Sequence, residues 1–90
     1  MTILAETESA VRELLVDVLG VDREQVAEMH AETPLFGALP ELDSMAVAGL
    51  LTEMEDRLEI AIDDEDVDGE LFETFGSLVV FAQSKIEASA

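Results

Sequence analysis

Leu42-Asp43-Ser44-Met45-Ala46-Val47-Ala48-Gly49-Leu50-Leu51-Thr52-Glu53-Met54-Glu55-Asp56-Arg57-Leu58 is the stretch on which the fold turns. Its apolar residues Met45, Ala48, Leu51, Met54 and Leu58 recur at spacings of three and four, and Leu50 widens the stripe. That period belongs to an amphipathic helix with one face turned to a core. Asp43 or Ser44 opens it, because either side chain can accept a hydrogen bond from a first-turn amide. The spacing therefore predicts a helix over 44–58.

The same period extends upstream. In residues 3–19, Val11, Leu14, Leu15 and Val18 form a stripe that Ile3 and Leu4 prolong. Glu6, Glu8, Arg12, Glu13 and Asp17 occupy the other face, and Gly20 stands where a left-handed C-terminal cap belongs. Residues 20–43 then form a long connection. Asp22 and Gln25 resemble a capping box, which predicts a short turn of helix. Pro34, Gly37 and Pro40 break anything longer. So long a connection in a small domain tends to be functional or well packed. Val26, Leu35, Phe36, Leu39 and Leu42 are spaced through it, and several of them are expected to pin it against the helices.

Downstream, residues 60–64 read as a loop carrying Ile60 and Ile62. A short helix is expected over 66–73, with Val67, Leu71 and Phe72. Gly76-Ser77 opens a last helix whose Val79, Phe81, Ala82 and Ile86 are available to the core. Lys85 falls in its last turn, where a cation suits the helix dipole. Nothing reads as paired strands. The expected fold is all-α: a small four-helix bundle of three longer helices and one short one, with a long loop between the first two. At 90 residues the chain is expected to be a single domain, 1–90.

Charge narrows the function classes. Twenty-two Asp and Glu face four Lys and Arg, a formal net charge of -18. Such a field repels nucleic acid and anionic membrane surfaces, attracts basic protein patches and disfavours self-association, so a monomer is expected. Acidity can also accompany disorder, but 49% of the residues are hydrophobic, which supplies a core. No cysteine is present, so any thioester chemistry needs an added sulfur. Met1-Thr2-Ile3-Leu4-Ala5-Glu6 lacks the basic and apolar regions of a signal peptide. The longest apolar run, Leu78-Val79-Val80-Phe81-Ala82, is too short for a membrane span, and a cytoplasmic protein is expected.

Three groups of residues invite chemistry. A serine where a long loop enters a helix is exposed, and a phosphodiester on its oxygen would meet free amides and the positive end of the dipole. On these residues alone, plain helix capping by Asp43 and Ser44 carries most of the weight. Asp64-x-Asp66-x-Asp68-Gly69 matches the opening of an EF-hand loop, but Phe75 stands where the bidentate Glu is required. No metal site is therefore expected. His30 is the only histidine, and with Ser44 and an Asp it would assemble a triad on paper. No nucleophile elbow or oxyanion hole supports that, and no catalytic residue is expected.

Leu42-Asp43-Ser44-Met45 resembles the Asp-Ser-Leu attachment motif of acyl carrier proteins, with Met in place of Leu. The resemblance runs through most of the chain. Leu19-Gly20-Val21, the helix ending Met54-Glu55-Asp56-Arg57-Leu58-Glu59-Ile60, the loop Ile62-Asp63-Asp64-Glu65-Asp66 and Phe72-Glu73-Thr74-Phe75 all fall in register, with Asp63 replacing the family's Pro. The resemblance implies a non-catalytic carrier. Ser44, flanked by Asp43 and Met45, takes 4′-phosphopantetheine from coenzyme A through a Mg²⁺-dependent phosphopantetheinyl transferase. Acyl groups then ride on the added thiol to acyl-activating, acyl-transferring or condensing enzymes with basic docking patches. Leu51 and Met54 are candidates to contact the acyl chain, or are plain core. Val47, Glu53, Glu55, Asp56 and Glu59 are candidates for partner contact. Ala46 and Gly49 stand where fatty-acid-synthesis carriers commonly have acids, which suggests a specialised partner set. The string from Leu39 to Val47 looks like carriers of bacterial exosortase and exopolysaccharide systems. The competing readings are a peptidyl or aminoacyl carrier, and a calcium- or protein-binding helical adaptor without a prosthetic group.

Overall fold

The computed structural model describes residues 3–89, with side chains from Ala5 to Ala88. The expected continuation of the first stripe through the Ile3 and Leu4 side chains lies outside that range. Four α-helices follow in order: α1 (Ile3–Leu19), α2 (Arg23–Ala27), α3 (Ser44–Leu58) and α4 (Phe75–Ser89), with a 3-10 turn at Asp64–Asp66. Among the described residues there is no strand, only an isolated bridge between Pro34 and Thr74. The all-α bundle of three long helices and one short one is the observed fold.

α1 is the central element and packs against α2, α3 and α4. Its Val11, Leu14 and Leu15 are buried, as the stripe predicts. They join Leu50 and Met54 of α3 and Phe75, Leu78, Val79 and Ala82 of α4 in one core cluster. Each fully buried Leu or Met contributes about 1.5–3 kcal/mol relative to exposure. Thr7 is buried too, its hydroxyl bonded to Gln83 of α4. Gly20 takes φ 73° and ends α1, with its amide returning to the Val16 carbonyl at 3.1 Å.

The short helix lies elsewhere than expected. Residues 66–73 do not form one; the short α-helix is α2. The cause is local. Asp68 Oδ1 accepts from the Glu70 and Leu71 amides at 3.0 and 3.1 Å, an arrangement that competes with helix, and Gly69 offers no propensity to oppose it. In α2, Asp22 stands at the N-cap but makes no side-chain capping bond, so the expected box with Gln25 is absent. α4 begins at Phe75, where Thr74 and Ser77 cap each other reciprocally at 3.1 Å.

The buried face of α3 is also rotated from the expected one. Val47, Leu50, Leu51, Met54 and Leu58 face or border the core, whereas Met45 is 85% exposed and Ala48 is exposed. Met45 lies about 200° round the helix from Val47, so the two cannot share a face. Lys85 is not in the last turn of α4; it pairs with Asp66 instead.

Candidate functional site

The long connection ends against the segment that precedes α4. The Leu35 and Phe36 amides donate to the Glu73 and Phe72 carbonyls at 3.1 and 2.9 Å. The Phe75 and Gly76 amides, otherwise orphaned at the helix start, donate to the Thr33 and Ala31 carbonyls at 2.8 and 2.9 Å. This ladder holds Phe36 and Phe72 on adjacent chain segments. Of the five residues among which the pins were expected, Phe36 leaves its ring exposed and ties the loop through its backbone. Leu35, Leu39 and Leu42 bury their side chains as expected.

α3 starts where this connection ends. Asp43 is its N-cap: Oδ1 accepts from the Ala46 amide at 2.8 Å, and its carbonyl accepts from Val47 at 2.9 Å. Ser44 is thereby the first helical residue, and it is exposed. The Ser44 and Met45 amides have no hydrogen-bond acceptor among the described residues, so they stand open at the positive end of the helix. Ser44 also sits on the rim of a cleft of about 260 Å³ lined by Phe36, Ser44, Val47, Val67, Asp68, Gly69 and Phe72.

The cleft unites some of the sequence-derived candidates and separates others. Val47, expected on an open face, forms part of its wall. Leu51 is half-buried and Met54 fully buried in the core, and neither lines the cleft. Phe36, Val67, Asp68, Gly69 and Phe72 were not singled out as site residues. They meet through the 33–36 to 72–76 ladder and the 63–71 turn, neither of which has a periodic signature.

The acids of α3 divide in two. Glu53 pairs with Arg57 at 2.9 Å, and Arg57 reaches Asp17 of α1 at 2.8 Å. Those hydrogen bonds, to Asp17 first and then Glu53, hold the Arg57 guanidinium above its usual pKa. Glu55 accepts the Ile62 amide at 2.9 Å and so anchors the following loop. Asp56 and Glu59 face solvent, Glu59 in a left-handed cap at φ 55°.

The EF-hand-like acids have other partners. Asp66 pairs with Lys85, Asp68 caps its own turn, and among the described residues no group of three or more His, Cys, Asp or Glu converges to hold a metal ion. His30 is exposed in the connection, its Nδ1 accepting from the Glu32 amide at 3.2 Å. Among the described residues no helix is long and apolar enough to cross a membrane.

Residues 9–81 match the family described as phosphopantetheine attachment site. A holo acyl carrier protein from Nitrosomonas europaea, solved by solution NMR, superposes with a TM-score of 0.81 at 39% identity, over 91% of this chain and 96% of that one. The chain belongs to the acyl carrier protein family. The cofactor of such carriers is covalently attached 4′-phosphopantetheine. Acyl carrier proteins are generally not catalysts; they interact with a phosphopantetheinyl transferase and with acyl-handling enzymes.

Proposed function

We propose that Ser44 is the residue that carries 4′-phosphopantetheine, and that the whole chain is one carrier domain presenting acyl thioesters to partner enzymes. The observation that carries this reading is the position of Ser44: exposed, first in α3, and on the rim of the 260 Å³ cleft. The arm supplies the thiol that this cysteine-free chain lacks.

The chain's own residues have separable tasks in this reading. Asp43 fixes the first turn, and with it the direction of the Ser44 hydroxyl. The Ser44 and Met45 amides and the helix dipole favour the negative phosphodiester. Phe36, Val47, Val67 and Phe72 offer apolar walls beside the point of attachment. Leu51 and Met54 lie behind that wall, so an acyl chain reaches them only by displacing packed side chains. Partner enzymes gain by tethering, which raises the local concentration of the acyl group at each active site.

Asp56 and Glu59 are the outward acids of α3 available to a basic docking patch, with Glu53 and Glu55 already engaged inside the protein. Near Ser44 the surface is instead apolar: Met45 is exposed, and Ala46 and Gly49 stand where acids are common in fatty-acid-synthesis carriers. That supports a specialised partner set, and the resemblance of residues 39–47 to exosortase- and exopolysaccharide-associated carriers names one. We read the protein as a monomer on the strength of its charge of -18.

The test is intact mass after incubation with coenzyme A, Mg²⁺ and a broad-specificity phosphopantetheinyl transferase, with Ser44→Ala as control. One phosphopantetheine is gained by the native chain and none by the variant. A native chain that gains nothing, from this transferase or from the host's own, sinks the proposal and leaves the adaptor reading.

A further inference from the structure

The wall of the cleft opposite α3 is made by residues 67–69, in a segment with little holding it. Asp63, Asp64, Glu65, Asp66, Asp68 and Glu70 crowd it with like charge. Its hydrogen bonds are local: Asp66 to the Asp63 carbonyl at 2.9 Å, Val67 to Asp64 at 3.2 Å, and the Asp63 amide to Asp66 Oδ2 at 2.9 Å. From Asp63 to Glu70, one polar contact among the described residues reaches another element: Lys85 Nζ of α4 to Asp66 Oδ2 at 2.6 Å. Both side chains are about three-quarters shielded from solvent. The ammonium also lies 5.9 Å from the Phe81 ring centroid, which steadies it on α4.

Asp66 stands directly before Val67, so what fixes Asp66 fixes the cleft wall. We infer that Lys85 is a positioning residue for the cleft: its ion pair with Asp66 holds Val67, Asp68 and Gly69 against Phe72 and Val47, and thereby sets how well a group carried at Ser44 is shielded from water. This rests on the Ser44 proposal for its cargo, and on the geometry alone for the latch. Lys85 touches no cargo; it acts through the Asp66 backbone. A purely structural role would change global stability. A positioning role changes the 66–69 segment while leaving α1 and α3 as they are.

The experiment has two readouts on the full chain. Amide hydrogen exchange is compared for the native protein, Lys85→Met, Asp66→Asn and Lys85→Arg. In both charge-removing variants exchange of the hydrogen-bonded Val67 amide rises about fivefold, as expected for losing one partly shielded ion pair. Lys85→Arg stays near the native rate, and α1 amides do not move. An octanoyl thioester is then loaded on the Ser44 arm and its cleavage by hydroxylamine is timed; cleavage is faster in the same two variants. Unchanged exchange at Val67 overturns the latch. Faster exchange with equal cleavage overturns the shielding. If Ser44 accepts no arm, the mass assay has already removed the proposed function, and exchange still decides whether Lys85 holds the wall.

Discussion

Gly76 donates its amide to the Ala31 carbonyl at 2.9 Å, and a Cβ on Gly76 would fall 2.6 Å from that same oxygen. No side chain fits there without moving backbone. Gly76→Ala should therefore destabilise the protein by about 1–3 kcal/mol, despite Ala's better helix propensity. Urea denaturation read by circular dichroism checks this; a stabilised variant would mean that the 31–33 loop yields easily.

Asp43 is the cap of α3 through its bond to the Ala46 amide. Asp43→Ala should cost about 1 kcal/mol in urea denaturation, while Asp43→Asn, an equally good cap, should cost far less. The two variants then separate capping from any role in the transferase reaction: loss of modification in Asp43→Asn would belong to the lost charge.

Arg12 binds the Val26 carbonyl, the Met29 carbonyl at 3.0 Å and Glu8 at 2.9 Å, with its guanidinium 4.6 Å from the Phe75 ring centroid. It thus joins α1, the start of the long connection and α4. Arg12→Met leaves the Met29 carbonyl without its donor and the Val26 carbonyl with the Met29 amide alone, and should cost about 1–3 kcal/mol by the same measurement. Arg12→Lys should recover only part, because one ammonium cannot reproduce the planar fork.

How far the sequence foretold this structure follows from which forces are periodic. α1 and α3 were legible because burial of Leu14, Leu15, Leu50 and Met54 repeats at helical spacing. Ser44, proposed above as the attachment point, was raised by the resemblance around Leu42-Asp43-Ser44-Met45; the loop-to-helix junction alone spoke for plain capping. The exact face of α3 was not: Met45 and Ala48 fit the period, yet Val47 shares the face of Leu50, Leu51, Met54 and Leu58, the larger apolar set, and takes the inner side. The 66–73 segment carried a helix-compatible set of apolar residues, and Asp68's bonds to the backbone overrode it. Phe36 and Phe72 meet only through pairing between distant segments, which no local pattern encodes.

The Asp66 carboxyl is held below its ordinary pKa, chiefly by the hydrogen bond from Lys85 and next by the Asp63 amide. Its folded value is depressed, so its stabilising contribution is complete above the unfolded value and is lost as pH falls through the lowered one. An NMR titration of the Asp66 carboxyl should show this low midpoint in the native chain. Lys85→Met should move it upward. A midpoint indifferent to that substitution would mean that the ion pair is not formed in solution.

A net charge of -18 opposes a compact chain. Raising NaCl from low ionic strength to about 0.15 M shortens the Debye length to about 8 Å and should raise the melting temperature. A lower melting temperature in salt would mean that the internal ion pairs of Arg23, Arg57 and Lys85 outweigh the repulsion among the acids.

The ladder between residues 33–36 and 72–76 has a consequence for the order of events in the making of the protein. From His30 to Leu42 the connection's backbone has no hydrogen-bonded tie to a distant element other than this one. Contacts so far apart in sequence are the slow ones to form. During synthesis this backbone tie therefore waits until Glu73 and Gly76 have been made, and the cleft beside Ser44, which needs Phe72, is completed late. The residues of α1 and α3 are made well before the cleft has its second wall.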